Sequence, residues 1–390
     1  MIRKHICIVN FLTHYDWRMA RQLPYLIQDY DVTVVCFKEA YEPIDGVRWK
    51  FIDAKSTPLS KIRDRALFLL GKLFPSIYDK WYWWRQRYRD GFEAALETKA
   101  DAYQADDWAS LPAAVEAARR NHAVAVYDAY EYWSLEAENQ RMWKLFASPL
   151  IKHLEDRFIP HVSALISVSP PIVERYKREY SVKTLLIMNA PQPVPLPPFK
   201  PTDPQHIRLI NHGSAVRDRH IERMIEVMPY LDDRYTLDFI FLPLELDYIE
   251  ELKALAHRIA PGRVTFLPPL DKSKVLLNVA LYDIGIFIIP PVSYNYHNAL
   301  PNRFFDFISS GLAVCVGPSP AMSEIVQKYQ LGVVAPSFEP AEIGEALNRL
   351  TAADIDDMKQ MARVASVDFD ANTEIQKYLA LYSDLLRDNA

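Results

Sequence analysis

Glycine is scarce in this chain, with ten residues among 390, where an average of about 7% would supply more than twice as many. No G-x-G-x-x-G and no G-x-x-x-x-G-K-[ST] occurs. Glycine-cradled dinucleotide and P-loop phosphate sites are therefore not expected. Cysteine is rarer still. Cys7, Cys36 and Cys315 each sit in a short apolar run, with no partner at metal-ligand spacing. They read as reduced core thiols, and so as a sign of a reducing compartment. No apolar stretch approaches the roughly 18 residues needed to span a bilayer. The opening MIRKHICIVNFL alternates with polar groups and lacks a cleavage site, so it does not read as a signal peptide. The expectation is a cytoplasmic protein. A net charge of −5 gives no global basic field, and nucleic acid is not expected as a partner.

What is present is a large apolar fraction, 50% of residues. At roughly 100–200 residues per domain the length suggests two domains. Short β-rich runs alternate with longer helical patterns. Strands are expected at 6–11, 32–37, 123–127, 164–168 and 185–188, with helices at 17–28, 111–121 and 172–179. Residues 189–204, NAPQPVPLPPFKPTDP, hold seven prolines in sixteen positions. Proline removes a donor and disfavours helix at the residue before it, so this is a stiff, extended connector. The alternation then restarts, with strands at 207–211, 237–242, 264–267, 284–289 and 313–316. Helices are expected at 221–231, 248–258, 304–310 and 343–350, and a terminal helix over 371–388. Strand–helix repetition implies parallel sheets with both faces covered. The reading is α/β, with domains at 1–190 and 205–370, a linker at 191–204, and a cleft between the two domains.

Residues 59–92 stand apart. Lys61, Arg63, Arg65, Lys72, Lys80, Arg85, Arg87 and Arg89 outnumber Asp64, Asp79 and Asp90 by five, which leaves the remainder of the chain at −10. Trp81, Tyr82, Trp83, Trp84 and Tyr88 are interleaved. Amphipathic aromatics with cations suit a lipid headgroup layer, where each basic residue contributes about 1 kcal/mol. Trp83, Trp84, Arg85, Arg87 and Arg89, with Tyr130, are the candidate acceptor or membrane patch. The competing reading is a helical pair whose aromatics are core and whose cations are solvated.

Residues 301–324, PNRFFDFISSGLAVCVGPSPAMSE, read as a short helix stopped at Gly311 and followed by an apolar strand. Asp306 there could accept two hydrogen bonds from vicinal ribose hydroxyls. Arg303, three residues earlier on the same face, could meet a diphosphate. The bland alternative is a surface Arg–Asp pair.

This segment resembles the P-N-K-x-x-E-Y-x-x-x-G-x-P-V stretch of the family 4 glycosyltransferases, which have the GT-B fold of two Rossmann-like domains. The resemblance implies that Asp306 binds the ribose, that Arg303 lies near the donor phosphates, and that Glu324 lies beside the donor. NHGSAVRDRHIERMIEVM is similar to the family's G-G-x-x-x-x-(R/K)-G-(L/I)-E element. Gly213 and Ser214 then fall at its glycine turn, Arg219 is the cation (with Arg217 as the alternative), and His220 replaces a glycine. Asp16 and Arg18 match a D-x-R element. VYDAYEYW resembles V-Y-D-x-H-E, with Tyr130 at the histidine position and Glu131 retained. Asn298 stands where many retaining members carry a first acid, eight residues before Asp306.

The resemblance implies a transferase that moves a sugar from a UDP- or GDP-linked donor to a glycan or lipid-linked acceptor, in polysaccharide or glycoconjugate assembly. It further implies retention of configuration, no metal and no cofactor. Arg219 and Arg303 would meet the leaving diphosphate. Asp16, Asp128 and Glu131 are candidates for an acceptor base. A cytoplasmic location at the inner face of the membrane fits the basic stretch. Two other classes stay open: a nucleotide-sugar epimerase on the same architecture, and a non-catalytic transferase-like partner.

Overall fold

The structure is a computed structural model that describes residues 3–12, 16–38, 41–53 and 58–387. It divides into two compact units. Unit 1 comprises residues 1–187, 293–295 and 375–390; unit 2 comprises 188–292 and 296–374.

Unit 1 runs β1 (His5–Asn10), α1 (Trp17–Asp29), β2 (Asp31–Phe37), β3 (Val47–Ile52), α2 (Pro58–Leu73), α3 (Ser76–Trp84), α4 (Gln86–Leu96), β4 (Ala102–Ala105), α5 (Leu111–Arg120), β5 (Val124–Asp128), α6 (Ser148–Phe158), β6 (Ala164–Ser167), α7 (Pro170–Tyr180) and β7 (Thr184–Leu186). Its sheet has the order β3-β2-β1-β4-β5-β6-β7, with every pairing parallel. β1 and β4 are buried along almost their whole length, as strands covered on both faces must be. β3 and β4 were not expected from the sequence. β4 reads AYQA, too short and too interrupted by Gln104 to stand out as an apolar run; its place between β1 and β5 makes it a strand.

Unit 2 runs β8 (Ile207–Ser214), α8 (Glu222–Val227), β9 (Tyr235–Leu242), α9 (Leu246–Ile259), β10 (Val264–Leu267), α10 (Lys272–Val279), β11 (Ile284–Phe287), α11 (Tyr294–His297), α12 (Asn302–Ser309), β12 (Ala313–Val316), α13 (Pro320–Tyr329), β13 (Gly332–Val334), α14 (Pro340–Asn348) and α15 (Ala352–Ala365). α11 is shared, since Tyr294 and Asn295 group with unit 1. The sheet order is β10-β9-β8-β11-β12-β13, again parallel. Gly311 takes the left-handed conformation (φ 71°) that ends the α12 turn, as expected. No regular element occupies 188–202, the proline-rich run.

The last helix, α16 (Ala371–Arg387), returns to unit 1 from Ile375 onward. Residue 388, the end of the expected helix, lies outside the described residues. Tyr378, Leu381, Tyr382 and Leu386 join the apolar layer formed by α1 and one face of the sheet. Both units have a Rossmann-like topology. In each, successive crossovers leave the first strand in opposite directions. That opens a crevice at the carboxyl ends of β1 and β4 in unit 1, and of β8 and β11 in unit 2.

Candidate functional site

In unit 2, β8 pairs with β11 only at Leu209 and Ile210, while it pairs with β9 along its length to Ser214. Asn211 reaches β11 with its side chain, donating from Nδ2 to the Ile286 carbonyl at 2.7 Å. Gly213 follows with φ 97°, and a Cβ there would stand 3.1 Å from Arg303 Nη2. Glycine is needed here both for the backbone angle and for the close approach.

Arg303, from the first turn of α12, is only 5% exposed. It donates to Asn211 Oδ1 at 2.9 Å and to the Ser214 carbonyl at 2.9 Å. Arg219 donates to the same carbonyl at 3.3 Å. Two guanidiniums thus converge on one oxygen at a strand-to-helix turn. Burial and the neighbouring Arg219 charge push the Arg303 pKa down, with Asp306 opposing them. An anion placed between the two cations would relieve this repulsion. The surface ion-pair reading of Arg303 and Asp306 fails, because Arg303 is buried.

Asp306 lies a turn along α12, partly open to solvent, with its Oδ2 3.6 Å from His212 Nε2. His212 is buried, and its pKa is lowered to about 3, first by burial and then by the Arg303 charge. It is therefore a neutral imidazole, and the contact is not an ion pair. Buried polar atoms without a hydrogen bond include His212 Nε2, Ser319 Oγ and Ser323 Oγ. His212 lies near the carboxyl end of β8, and Ser319 and Ser323 follow β12; native structures usually satisfy such buried groups with a ligand or water. Asn298 is buried just after α11, and Glu324 is exposed in the second turn of α13.

Arg217 is a correction. Its guanidinium is committed to Glu251 (2.6 Å) and Asp247 (3.1 Å), over the Tyr248 ring. Opposite charges on α9 hold it, leaving Arg219 as the cation of this loop. His220 adopts the left-handed conformation (φ 49°) at its glycine-like position, and its Nδ1 lies 3.0 Å from Glu222 Oε1.

In unit 1 the D-x-R element is structural. Asp16 caps α1, accepting from the backbone of Arg18 (2.8 Å) and Met19 (3.2 Å). Arg18 Nε donates to both Asp128 oxygens, at 2.9 and 3.1 Å, and Nη1 donates to the Ile187 carbonyl. Tyr378 from α16 also donates to Asp128. Asn10 bridges Asp16 (3.0 Å) and Asp106 (3.3 Å). Asp16 thus caps α1 and Asp128 pairs with Arg18, and both are buried. Asp106 and Asp107, which follow the unexpected strand β4, escaped the sequence reading. Asp107 accepts from Phe11 N, Ala109 N and Ser110 N, and burial raises its pKa to about 6.

Beside Asp107 lies an open pocket of about 410 Å3. Its lining includes Arg87, Trp108, Tyr130, Glu131, Trp133 and Glu136. Arg87, Tyr130 and Glu131, singled out separately in the sequence, meet here. Among the described residues no group of three or more His, Cys, Asp or Glu could hold a metal ion.

The basic aromatic stretch divides. Tyr78, Trp81, Tyr82, Tyr88 and Phe92 are core residues, and Trp83 packs partly buried against them. Arg85 pairs with Asp64 and lies over the Trp81 ring; Arg87 lies over Tyr88 and donates to its hydroxyl. These three leave the predicted membrane patch because stacking and ion pairing hold them inward. Trp84 and Arg89 remain exposed. The side chains of Lys61 and Arg63 lie outside the described ones.

No protein-family model matches the sequence, and no curated protein matches it in a sequence search. Solved structures do match along the whole chain. Sucrose-phosphate synthase from Thermosynechococcus elongatus superposes with a TM-score of 0.73 at 13% identity, covering 99% of this chain and 100% of that one. HepE (Alr3699) of Anabaena, in complex with UDP-glucose, gives 0.68 at 14%, over 97% and 99%. The fold is GT-B. A trehalose 6-phosphate synthase from Burkholderia multivorans adds a TM-score of 0.64 at 10% identity, over 99% and 96%. The GT-B assignment agrees with the two parallel sheets, of seven and six strands, and with α16 returning to unit 1.

Proposed function

We propose that the chain is a glycosyltransferase that moves a sugar from a nucleotide-sugar donor to a glycan or lipid-linked acceptor in glycoconjugate assembly. The observation that carries this reading is the convergence of Arg303 and Arg219 on the Ser214 carbonyl, at the switch point of unit 2. Breaking the bond between the sugar and the diphosphate moves negative charge onto the leaving phosphate. Preorganised cations in a partly buried site stabilise that charge without reorganising. Arg303 and Arg219 fill this role, and the reaction needs no metal. Asp306 accepts from the ribose hydroxyls, with neutral His212 behind it. Glu324 lies on the donor's far side.

The unit 1 pocket takes the acceptor. Aromatic faces at Trp108, Tyr130 and Trp133 suit a sugar ring, and Glu131 and Arg87 offer an acceptor and donors for its hydroxyls. With Asp16 and Asp128 committed elsewhere, Glu131 is the remaining candidate base; transfer with retention of configuration would need none. The relatives found in complex with UDP-glucose or UDP favour a uridine nucleotide.

Titrating UDP and GDP by calorimetry tests the reading. Saturable binding of one nucleotide is expected, lost in Asp306→Ala with an unchanged fold. An absence of binding by both at high micromolar concentration would remove the donor site.

A further inference from the structure

α2 is a helix with two faces. Asp64, Leu67, Phe68 and Gly71 turn inward: Asp64 meets Arg85, and Phe68 packs on Trp81 with ring centroids 4.9 Å apart. Gly71 abuts the Tyr78 ring so closely that a Cβ would overlap it. The other face carries exposed apolar side chains among the described residues. Leu69 and Leu73 form one row at helical spacing, Leu70 and Phe74 the next, and their exposures run from 46% and 47% to 74% and 59%. Phe74 lies just past the helix end, and its N–H donates to the Leu70 carbonyl at 2.9 Å, which keeps it in register. A short helical turn at residues 143–147 packs beside α2, and Met142 and Leu145 there are exposed as well. Trp84, at the end of α3, is 64% exposed.

Cations frame this apolar face. Arg65 precedes Leu69 in the same row, Lys72 flanks Leu73, and Arg141 and Lys144 flank Met142 and Leu145; all four are exposed. The nearby acids Asp64 and Asp79 are spent in pairs with Arg85 and Arg157. The contrast with unit 2 is informative. One exposed leucine run there, Leu242, Leu244 and Leu246, stands among Glu245, Asp247, Glu250 and Glu251. That apolar patch would be repelled by an anionic surface, whereas the one on α2 would be drawn to it.

We infer that the outer face of α2 docks unit 1 on an anionic lipid surface, inserting Leu69, Leu70, Leu73 and Phe74 while Arg65 and Lys72 meet the headgroups. Scattered single leucines need no explanation, but two adjacent rows of large apolar side chains within a cationic rim mark an interaction surface. An interfacial helix combines these two attractions, burial of apolar area and charge complementarity. The aromatics that first drew attention to the stretch serve instead as the base on which α2 is mounted. The inference is independent of the transfer reaction.

Flotation of the full chain with vesicles tests it. Binding is expected to phosphatidylcholine vesicles carrying roughly one third phosphatidylserine, weaker binding to pure phosphatidylcholine, and weakening as salt rises from roughly 0.1 M to 0.5 M. Leu73→Ser with Phe74→Ser should cut the affinity by about tenfold or more without changing the melting temperature, and Leu73→Ile with Phe74→Leu should retain it. Equal binding by the serine variant, or no binding of the native chain to the anionic vesicles, would overturn the inference. So would a dimer in sedimentation velocity that the serine variant abolishes, because a second copy would then cover the face.

Discussion

Arg303 Nη2 lies 2.9 Å from the carbonyl oxygen of Ser214, and its Nη1 lies 2.9 Å from Asn211 Oδ1. The side chain thereby ties α12 to the carboxyl end of β8. A guanidinium reaches both oxygens because its donors are fixed in a planar fork; an ammonium has one nitrogen. Arg303→Lys should therefore keep the charge and lose the geometry. The expected result is a UDP affinity lowered about tenfold or more, some 1.4 kcal/mol, in calorimetry. Native affinity in the lysine variant would show that charge alone suffices.

His212 sets a pH dependence of stability. Its folded pKa is lowered to about 3, against about 6.5 when unfolded. The unfolded chain therefore binds a proton that the folded chain refuses. This opposes folding as pH falls from about 6.5 toward 3, and has no effect above that window. His212→Gln removes the term. Relative to the native protein, the variant should gain about 2 kcal/mol on going from pH 7 to pH 5, read from urea midpoints at each pH. A constant difference between the two proteins would show that His212 is accessible to protons.

Arg18 and Asp128 form a buried ion pair that should contribute to stability. Asp128 is buried and takes Arg18 Nε on both oxygens. Removing one partner leaves a buried charge, at a cost of about 3–5 kcal/mol. Asp128→Ala should accordingly lower unfolding stability by several kcal/mol in urea or guanidinium, and loosen α16 through Tyr378. A variant that folds with native stability but fails in transfer would return Asp128 to the role of acceptor base.

Much of this protein could be read before any coordinates. β1, β2, β5 and β8 are runs of apolar residues long enough to be buried on both faces, so local pattern and tertiary placement agree. The prolines of 189–204 stop regular structure without outside help, because the ring itself removes the donor. Arg303 and Asp306 lie three residues apart on one helix, so a local spacing was enough to pair them as candidates.

Other features depend on partners remote in the chain. β4 is a strand only because β1 and β5 flank it, and with it came Asp106 and Asp107. Arg217 and Arg219 are indistinguishable in sequence; Glu251, 34 positions on, holds the first and leaves the second to Ser214. In residues 59–92 composition showed cations and aromatics, but burial is a property of packing. Tyr82 and Tyr88 stack inside at 4.5 Å while Leu73 and Phe74 stay in solvent. Sequence determines which groups are available and how they repeat along an element. Which charges are neutralised and which apolar faces remain uncovered was decided only when elements distant in the chain came together.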